Sequence, residues 1–303
     1  MRWQTTIEST VSETGIGLHS GLESRLWIRP APADHGIVFY HRAKQVFIPA
    51  QVDHTQELGY ATRLGLGDVA VATVEHLLSA LSGLGLDNAM IEIEGEEIPI
   101  LDGSAMPFVE LIEAAGIRKL DRPATAIRMT RAIEVRDGEK WMRVEPAPTF
   151  SVDYRISFDN PIVGYQRYAG IIDPDVYRRA IAPARTFGFL KDVTYLKSHG
   201  LARGGSFTNC VVVDDRQVVS GALRFPDEFV RHKVLDLIGD LSLLEYPLIG
   251  AVTAHKAGHA LHAALVRAIL AHPECWEIVG GEASGAFVMP YPLDVEAAAA
   301  LAM

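Results

Sequence analysis

The segment Arg231–Asp240 has the sequence RHKVLDLIGD. His232, Asp236 and Asp240 recur at every fourth position, and apolar residues fill most of the places between them. At about 3.6 residues per turn, this spacing predicts a helix with the three polar side chains on one face. A histidine and an aspartate at positions i and i+4 can bind one metal ion, and this nitrogen and oxygen pair suits Zn²⁺ or a related divalent ion. The alternative interpretation is a polar helix face in contact with water.

A third metal ligand must come from another part of the chain, because a catalytic zinc site uses three protein ligands and keeps one position open. The segment Thr73–Ser82, TVEHLLSALS, predicts a helix and offers His76. His76, His232 and Asp236 would then form a His/His/Asp set, and Glu75 would stand beside the metal as a general base. Alternatively, Glu75 merely favours the positive end of a helix dipole and His76 packs nearby.

Another histidine-containing segment, Lys256–His262 (KAGHALH), stands at the predicted start of the last long helix. A cationic His259 at this position could stabilise an oxyanion and then protonate a leaving amine. Asp240 is a suitable partner to keep that imidazole charged. His262 competes with His259 for the same role.

The order of predicted elements repeats along the chain. Strand-rich segments are followed by helix 73–82, strand 88–94 and helix 106–115, and later by helix 228–244, strand 248–253 and helix 258–270. This repetition predicts a duplicated α+β unit, with two helix layers meeting and the sheets outside. We expect a first domain at 1–118 and a second at 126–303, joined by a charged linker at Gly116–Thr125. A cleft between two such domains is a usual place for a small-molecule site.

The composition argues against several classes of protein. The chain has 303 residues and a formal net charge of −10, which disfavours partners such as nucleic acid or an anionic membrane surface. Its two cysteines, Cys210 and Cys275, lie outside any CxxC pair and predict buried, inert thiols. No apolar run approaches the ~20 residues of a membrane-spanning helix, and the N-terminus lacks the apolar region of a secretory signal. We therefore expect a cytoplasmic protein.

Further motifs connect these candidate residues into a longer pattern. In chain order they are GIGLHSG (Gly15–Gly21), TVEHLLSAL (Thr73–Leu81), PILDGSAMPF (Pro99–Phe108), RTFGF (Arg185–Phe189), GGSF (Gly204–Phe207), RHKVLDLIGDL (Arg231–Leu241) and KAGHA (Lys256–Ala260). With these motifs in this order, the chain resembles the UDP-3-O-acyl-N-acetylglucosamine deacetylases of lipid A biosynthesis over essentially its whole length. The resemblance implies two similar α+β domains. Each has a mostly antiparallel sheet with two helices, the helix layers pack between the two sheets, and small inserts line the active site.

The resemblance also implies an activity and a role for each matching residue. The activity is zinc-dependent hydrolysis of the acetamide of a UDP-linked acylated aminosugar by a monomer, with one Zn²⁺ per chain and Fe²⁺ as a possible substitute. It implies metal ligation by His76, His232 and Asp236, general base catalysis by Glu75, general acid catalysis by His259 with Asp240 behind it, oxyanion stabilisation by Lys233 and Thr186, and substrate binding by His19, Lys140, Phe158, Phe187 and Lys256. Lys140, Phe158 and Lys256 match positions that bind the UDP part.

One insert of the family forms an apolar passage for the acyl chain, and it corresponds here to about 190–213. The matching lining candidates are Leu190, Val193, Ala202, Phe207, Cys210 and Val212. Burial of an acyl chain contributes ~0.8 kcal/mol per CH₂, so such a passage would add affinity and select chain length. These residues could equally be the core of the insert.

The chain departs from the family pattern at two places. Leu58–Thr62 lacks the usual threonine at its start and has Tyr60 where a smaller or aliphatic residue is common, and Ser157 and Asn160 flank Phe158 in place of an Asp and a His. We expect these departures to affect acyl preference and nucleotide affinity rather than the metal. Two rival functions remain open: a metal-dependent hydrolase with another nucleotide-sugar preference, and a non-catalytic sugar-nucleotide-binding protein.

Overall fold

The computed structural model describes residues 2–56 and 59–281; Leu58 and residues 282–303 of the second predicted domain lie outside the described residues. The strands, in chain order, are β1 Trp3–Ile7, β2 Val11–Ile16, β3 Glu23–Arg29, β4 Ile37–His41, β5 Val46–Pro49, β6 Thr55–Gln56, β7 Arg63–Leu66, β8 Val69–Ala72, β9 Ala89–Glu94, β10 Ile117–Pro123, β11 Thr125–Met129, β12 Ile133–Asp137, β13 Lys140–Glu145, β14 Ser151–Ser157, β15 Tyr165–Ile171, β16 Phe187–Phe189, β17 Val211–Val213, β18 Leu248–Ile249, β19 Ala251–His255 and β20 Trp276–Gly280. The α-helices are α1 Glu75–Gly83, α2 Met106–Ala115, α3 Pro174–Val176, α4 Val193–Ser198, α5 Glu228–Leu241 and α6 His259–Ala271.

Two five-stranded sheets share one topology. The first sheet has the strand order β2-β3-β9-β4-β5, and the second sheet has the order β12-β13-β19-β14-β15. In each sheet the central strand, β9 or β19, pairs parallel with the next strand in that order, β4 or β14. The remaining pairs of both sheets are antiparallel. The repeated order confirms the prediction of a duplicated α+β unit with mostly antiparallel sheets.

Alternating side chains give each sheet one face that must be covered. In β3, Ser24, Leu26 and Ile28 are buried while their neighbours are exposed or half-buried, and β14 shows the same alternation. Helices cover these faces: α5 packs on β14 and β15, α6 packs on β12 and β13, and α2 contacts α1 and β2.

Helices α1 and α5 lie directly against each other at the centre of the molecule. Gly239 makes this close contact possible, because a Cβ atom at that position would overlap the backbone carbonyl oxygen of Glu75. The contact places the N-terminal turn of α1 beside the last turn of α5. Two candidate metal-binding segments that are far apart in sequence therefore meet.

Smaller sheets surround this centre. Strands β6, β7 and β8, which follow β5 and precede α1 in the sequence, form an antiparallel sheet. Strands β16 and β17 form a parallel pair, and α4 lies between them in the sequence. The segment from β6 to β8 is the first insert. The segment from β16 to β17 is the second insert, and it contains the predicted range 190–213. Within the part of the chain that the structure describes, no helix is both long and apolar enough to cross a membrane.

The predicted linker at Gly116–Thr125 is a strand for most of its length. Ile117–Pro123 forms β10 and pairs antiparallel with β1. Most of its side chains are exposed, so its charged composition follows from a two-stranded ribbon with little burial. A strand of this kind lacks the apolar alternation on which strand prediction depends.

Candidate metal and catalytic site

The structure brings His76, His232 and Asp236 together, as the sequence predicts. His76 lies on α1, and the other two lie one turn apart on α5. The Nε2 atoms of His76 and His232 lie 3.7 and 3.3 Å from Oδ1 of Asp236, and one ligand atom from each residue lies within 4.8 Å of the others. All three side chains are buried.

The chemistry of this cluster fits a divalent cation. Nδ1 of His232 lies 3.0 Å from the carbonyl oxygen of Ala184 and donates to it, so Nε2 keeps its lone pair for a metal. Burial lowers the pKa of His76 to about 3 and also lowers the pKa of His232, so both imidazoles are neutral near pH 7. Oδ1 of Asp236 is buried and accepts no hydrogen bond from the described residues. A bound metal would satisfy this oxygen.

Lys233 and Asp236 form a charge pair at the edge of the cluster. Nζ of Lys233 lies 2.9 Å from Oδ2 of Asp236. Burial by itself would raise the pKa of Asp236, but Lys233 and His232, which is protonated at the acid pH where this carboxylate titrates, outweigh burial, and the net pKa is lowered. The carboxylate is therefore ionised, with one oxygen paired to Lys233 and the other facing the two imidazoles.

Thr186 is positioned by the PILDGS motif of the first half. Its backbone N–H donates to the carbonyl oxygen of Gly103 at 2.7 Å. Gly103 has a φ of +87°, and a Cβ atom there would overlap the carbonyl oxygen of Asn209. Only glycine fits this turn, which therefore brings together segments from both halves of the chain.

Glu75 and His259 face each other across the same site. Oε1 of Glu75 lies 3.9 Å from Nε2 of His259, and Nδ1 of His259 lies 2.8 Å from Oδ2 of Asp240. Burial raises the pKa of Glu75 to about 8, and the positive charge of His259 only partly opposes this effect. Burial would lower the pKa of His259, but Asp240 outweighs burial and raises it to about 9. A carboxyl group with a raised proton affinity thus lies beside an imidazole that is protonated near pH 7.

Thr62 belongs to this network, although no sequence pattern predicts a functional role for it. Its hydroxyl donates to Oδ1 of Asp240 at 2.5 Å, and its backbone N–H donates to Oε2 of Glu75 at 3.0 Å. Thr62 is fully buried, and it connects the carboxylate behind His259 with the candidate base. A threonine in a loop has no spacing pattern that could have revealed this role.

A cavity of about 460 Å³ contains these groups. Its walls include Glu75, His76, Thr186, Lys233 and His259, and Phe158 and Phe187 add aromatic surface. Tyr60 also lines the cavity, and its side chain is 60% exposed; the expected effect of this departure on acyl preference stays a prediction. The loop from β8 to α1 and the first insert meet at this cavity, since Thr73 of the loop and Tyr60 of the insert both line it.

The other candidates for nucleotide binding, Lys140 and Lys256, do not line the cavity. The pairing of Trp141 with His255 places Lys140 and Lys256 at adjacent strand ends, and Nζ of Lys256 lies 2.8 Å from Oε2 of Glu139. His19 does not line the cavity, but it adjoins Leu18, which does, and its backbone N–H donates to the buried carboxylate of Glu97 at 2.8 Å.

The six residues predicted for the acyl passage do not line this cavity. Leu190 lines a separate hollow, Leu190 and Phe207 are 44% and 57% exposed, and Val212 is buried. The second insert instead contributes Tyr195 and Leu196 of α4 to the cavity. Sequence spacing could not give the orientation of a helix as short as α4. The passage assignments stay predictions.

The two flanking departures occupy different surroundings. Asn160 is buried, accepts hydrogen bonds from the backbone N–H groups of Ile162 and Val163, and donates to the carbonyl oxygen of Asp214 at 3.0 Å. It thus stabilises the turn after β14. Ser157 is exposed at the end of β14.

Comparison with known proteins assigns the chain to a family. The family model described as UDP-3-O-acyl N-acetylglycosamine deacetylase matches residues 4–271. A UDP-3-O-acyl-N-acetylglucosamine deacetylase of Myxococcus xanthus (strain DK1622) is 47% identical over 279 residues, which cover 91% of this chain and 89% of the relative. A relative with the same name from Anaeromyxobacter sp. (strain Fw109-5) is 46% identical, and the match covers 91% of each chain. Another from Pseudomonas entomophila (strain L48) is 45% identical, and the match covers 91% of this chain and 93% of the relative. The chain belongs to the UDP-3-O-acyl N-acetylglycosamine deacetylase family.

Proposed function

We propose that this protein hydrolyses the acetamide of UDP-3-O-acyl-N-acetylglucosamine, giving acetate and UDP-3-O-acyl-glucosamine, a committed step of lipid A biosynthesis. The observation that carries the proposal is the buried His76, His232 and Asp236 cluster, which shares one cavity with Glu75 and His259. The names of the relatives supply the substrate.

Zinc is the metal that we propose, held by His76, His232 and Asp236. Two neutral imidazoles and one carboxylate form a usual catalytic zinc set, although the same nitrogen and oxygen ligands also accept Fe²⁺. A metal ion at this site would supply positive charge that lowers the pKa of water and polarises the amide carbonyl.

Glu75 and His259 perform the proton transfers in this proposal. Glu75 removes a proton from the attacking water as the water oxygen bonds to the carbonyl carbon. His259, held by Asp240 through Nδ1, presents its Nε2 proton to the amide nitrogen as the C–N bond breaks. The products are acetate and a free amine. The raised pKa of His259 keeps its imidazole protonated near pH 7, as a general acid requires.

Thr186 and Lys233 would stabilise the negative charge that develops on the carbonyl oxygen. Both line the cavity beside the metal cluster, and Lys233 is a cation held in place by Asp236. Charged or oriented donors at a developing oxyanion are effective because they need no reorganisation during the reaction.

The remaining assignments concern the substrate and the assembly. Lys140, Lys256 and Phe158 would bind the UDP part, and the second insert, about 190–213, would bind the acyl chain.

We assign the first domain to 1–118 and the second to 126–303, because the two sheets have the same strand order. One chain supplies all the clustered residues, which favours a monomer, and we place it in the cytoplasm.

The test is acetate release from UDP-3-O-acyl-N-acetylglucosamine before and after removal of the metal with a chelator. We expect release by the untreated protein, loss after chelation, and recovery when Zn²⁺ is added back. UDP-N-acetylglucosamine without the acyl chain is the control, and it should be a much poorer substrate. Substrate binding without acetate release would favour the non-catalytic sugar-nucleotide-binding function.

A further inference from the structure

Asp240 accepts hydrogen bonds from two residues besides His259, its predicted partner. Nδ1 of His262 lies 2.7 Å from Oδ2, the same oxygen that receives Nδ1 of His259 at 2.8 Å. The hydroxyl of Thr62 donates to the other oxygen, Oδ1. Asp240 is almost completely buried, so these donors replace the water that a carboxylate would otherwise bind.

His262 is itself held in a defined orientation. It is fully buried, and its Nε2 lies 2.9 Å from the hydroxyl oxygen of Tyr154, which is also fully buried. Burial outweighs the effect of Asp240 and lowers the pKa of His262, so the ring is neutral and carries one N–H. With Nδ1 donating to Asp240, the lone pair of Nε2 faces the hydroxyl of Tyr154, whose single proton can go either to Nε2 or to the carbonyl oxygen of Ala257, 3.0 Å from the hydroxyl oxygen. The spacing i, i+3 on α6 places His262 and His259 on the same helix face.

These contacts distinguish His262 from a metal ligand. Asp240, His259 and His262 offer atoms close enough to hold an ion, but both Nδ1 atoms already donate to Oδ2 at hydrogen-bonding distance. His262 also does not line the cavity that contains the metal cluster. It therefore acts on the site through Asp240 and not through direct contact with a substrate.

We propose that His262 is a positioning residue for the general acid: with Thr62, it fixes the rotation of the Asp240 carboxylate and thereby keeps Nε2 of His259 directed toward Glu75 and the cavity. The inference rests on the proposed function, in which His259 protonates the leaving amine. A carboxylate held by donors on both oxygens cannot turn about its side-chain bond without breaking a buried hydrogen bond, which makes the orientation of His259 costly to change.

The test compares three substitutions of His262 in the metal-loaded enzyme. His262→Asn keeps an N–H donor close to the Nδ1 position, His262→Gln moves the donor toward the Nε2 position, and His262→Leu removes it. We expect His262→Leu and His262→Gln to lower kcat by about tenfold or more, the usual effect of losing a supporting hydrogen bond in an active site. KM and metal content should stay unchanged, and His262→Asn should retain most of kcat.

Proton NMR provides a readout that does not depend on turnover. The wild-type protein should show two downfield imidazole N–H resonances, from His259 and His262. His262→Leu should lose one of them and shift the other. Equal kcat values in all the variants, or equal losses in His262→Asn and His262→Leu, would overturn the positioning role. Absence of acetate release by the wild-type protein would instead refute the proposed function, and the two resonances would still report the geometry at Asp240. If His262→Leu does not fold, the kcat values of His262→Asn and His262→Gln decide whether His262 has the positioning role.

Discussion

Gly239→Ala should weaken the metal site without altering any candidate ligand. A Cβ atom at this position would overlap the carbonyl oxygen of Glu75 and would lie 2.9 Å from its carbonyl carbon. Carbon atoms in contact are normally about 3.5–4.0 Å apart. Helices α1 and α5 would therefore have to separate by roughly 0.5–1 Å at this point, by comparison with that contact distance.

This separation has two measurable consequences. Overpacking of a buried contact costs about 1–3 kcal/mol of unfolding free energy. It also moves His76 away from His232 and Asp236, whereas metal sites hold their ligand distances within about 0.2 Å. We expect metal affinity to fall by about tenfold or more, and a displacement on the order of 1 Å at the active site to lower kcat by up to about 10².

Chelator competition measures the metal affinity, and urea unfolding of the metal-free protein measures the stability. Gly188→Ala is the matched control, because a Cβ atom there would meet nothing within 4 Å, and it should leave both quantities unchanged. Wild-type metal affinity together with wild-type stability in Gly239→Ala would refute the close contact between α1 and α5.

Three further substitutions test separate parts of the site. Glu75→Gln should keep the metal and lower kcat by about 10² or more, the usual size of general-base catalysis; unchanged turnover would remove Glu75 from that role. Thr62→Val removes the hydroxyl that donates to Asp240 and should lower kcat by about tenfold at constant metal content; an unaltered kcat would contradict the role of Thr62 in fixing Asp240. Glu228→Ala leaves Arg185 without the fully buried carboxylate that lies 2.8 Å from its Nε and should cost about 3–5 kcal/mol in urea unfolding. Burial would raise the pKa of Glu228, but its bonds to Arg185 outweigh burial and lower it. This stabilisation is therefore present above about pH 4.3 and lost as the pH falls through the lower folded-state value; the same acid dependence in wild type and variant would contradict the pairing.

Helix periodicity explains why the metal cluster was predictable from the sequence. His232 and Asp236 are one turn apart on α5, and any regular helix brings such residues to one face. To predict that His76 joins His232 and Asp236, the repeated order of elements is also needed, because it places α1 against α5. That repeat is visible in the two sheets, which share a strand order.

Loops and ribbons account for most of what the sequence did not reveal. Thr62 reaches Asp240 only because the first insert folds back beside α1, and no local pattern encodes that path. The strand Ile117–Pro123 has the composition of a linker because its side chains are mostly exposed. Tyr195 lines the cavity in place of the predicted passage residues, because the orientation of a helix as short as α4 depends on tertiary contacts.

Metal content per chain measures most directly whether α1 and α5 bind one ion together. Elemental analysis should find about one zinc or iron ion per chain in the wild-type protein, as expected for a site with three protein ligands. His272→Ala should match the wild type, because His272 is an exposed histidine paired with Glu274. His76→Ala and His232→Ala should each lose the metal, although the two histidines lie on different helices. Full occupancy in His76→Ala would contradict a site shared between the two helices.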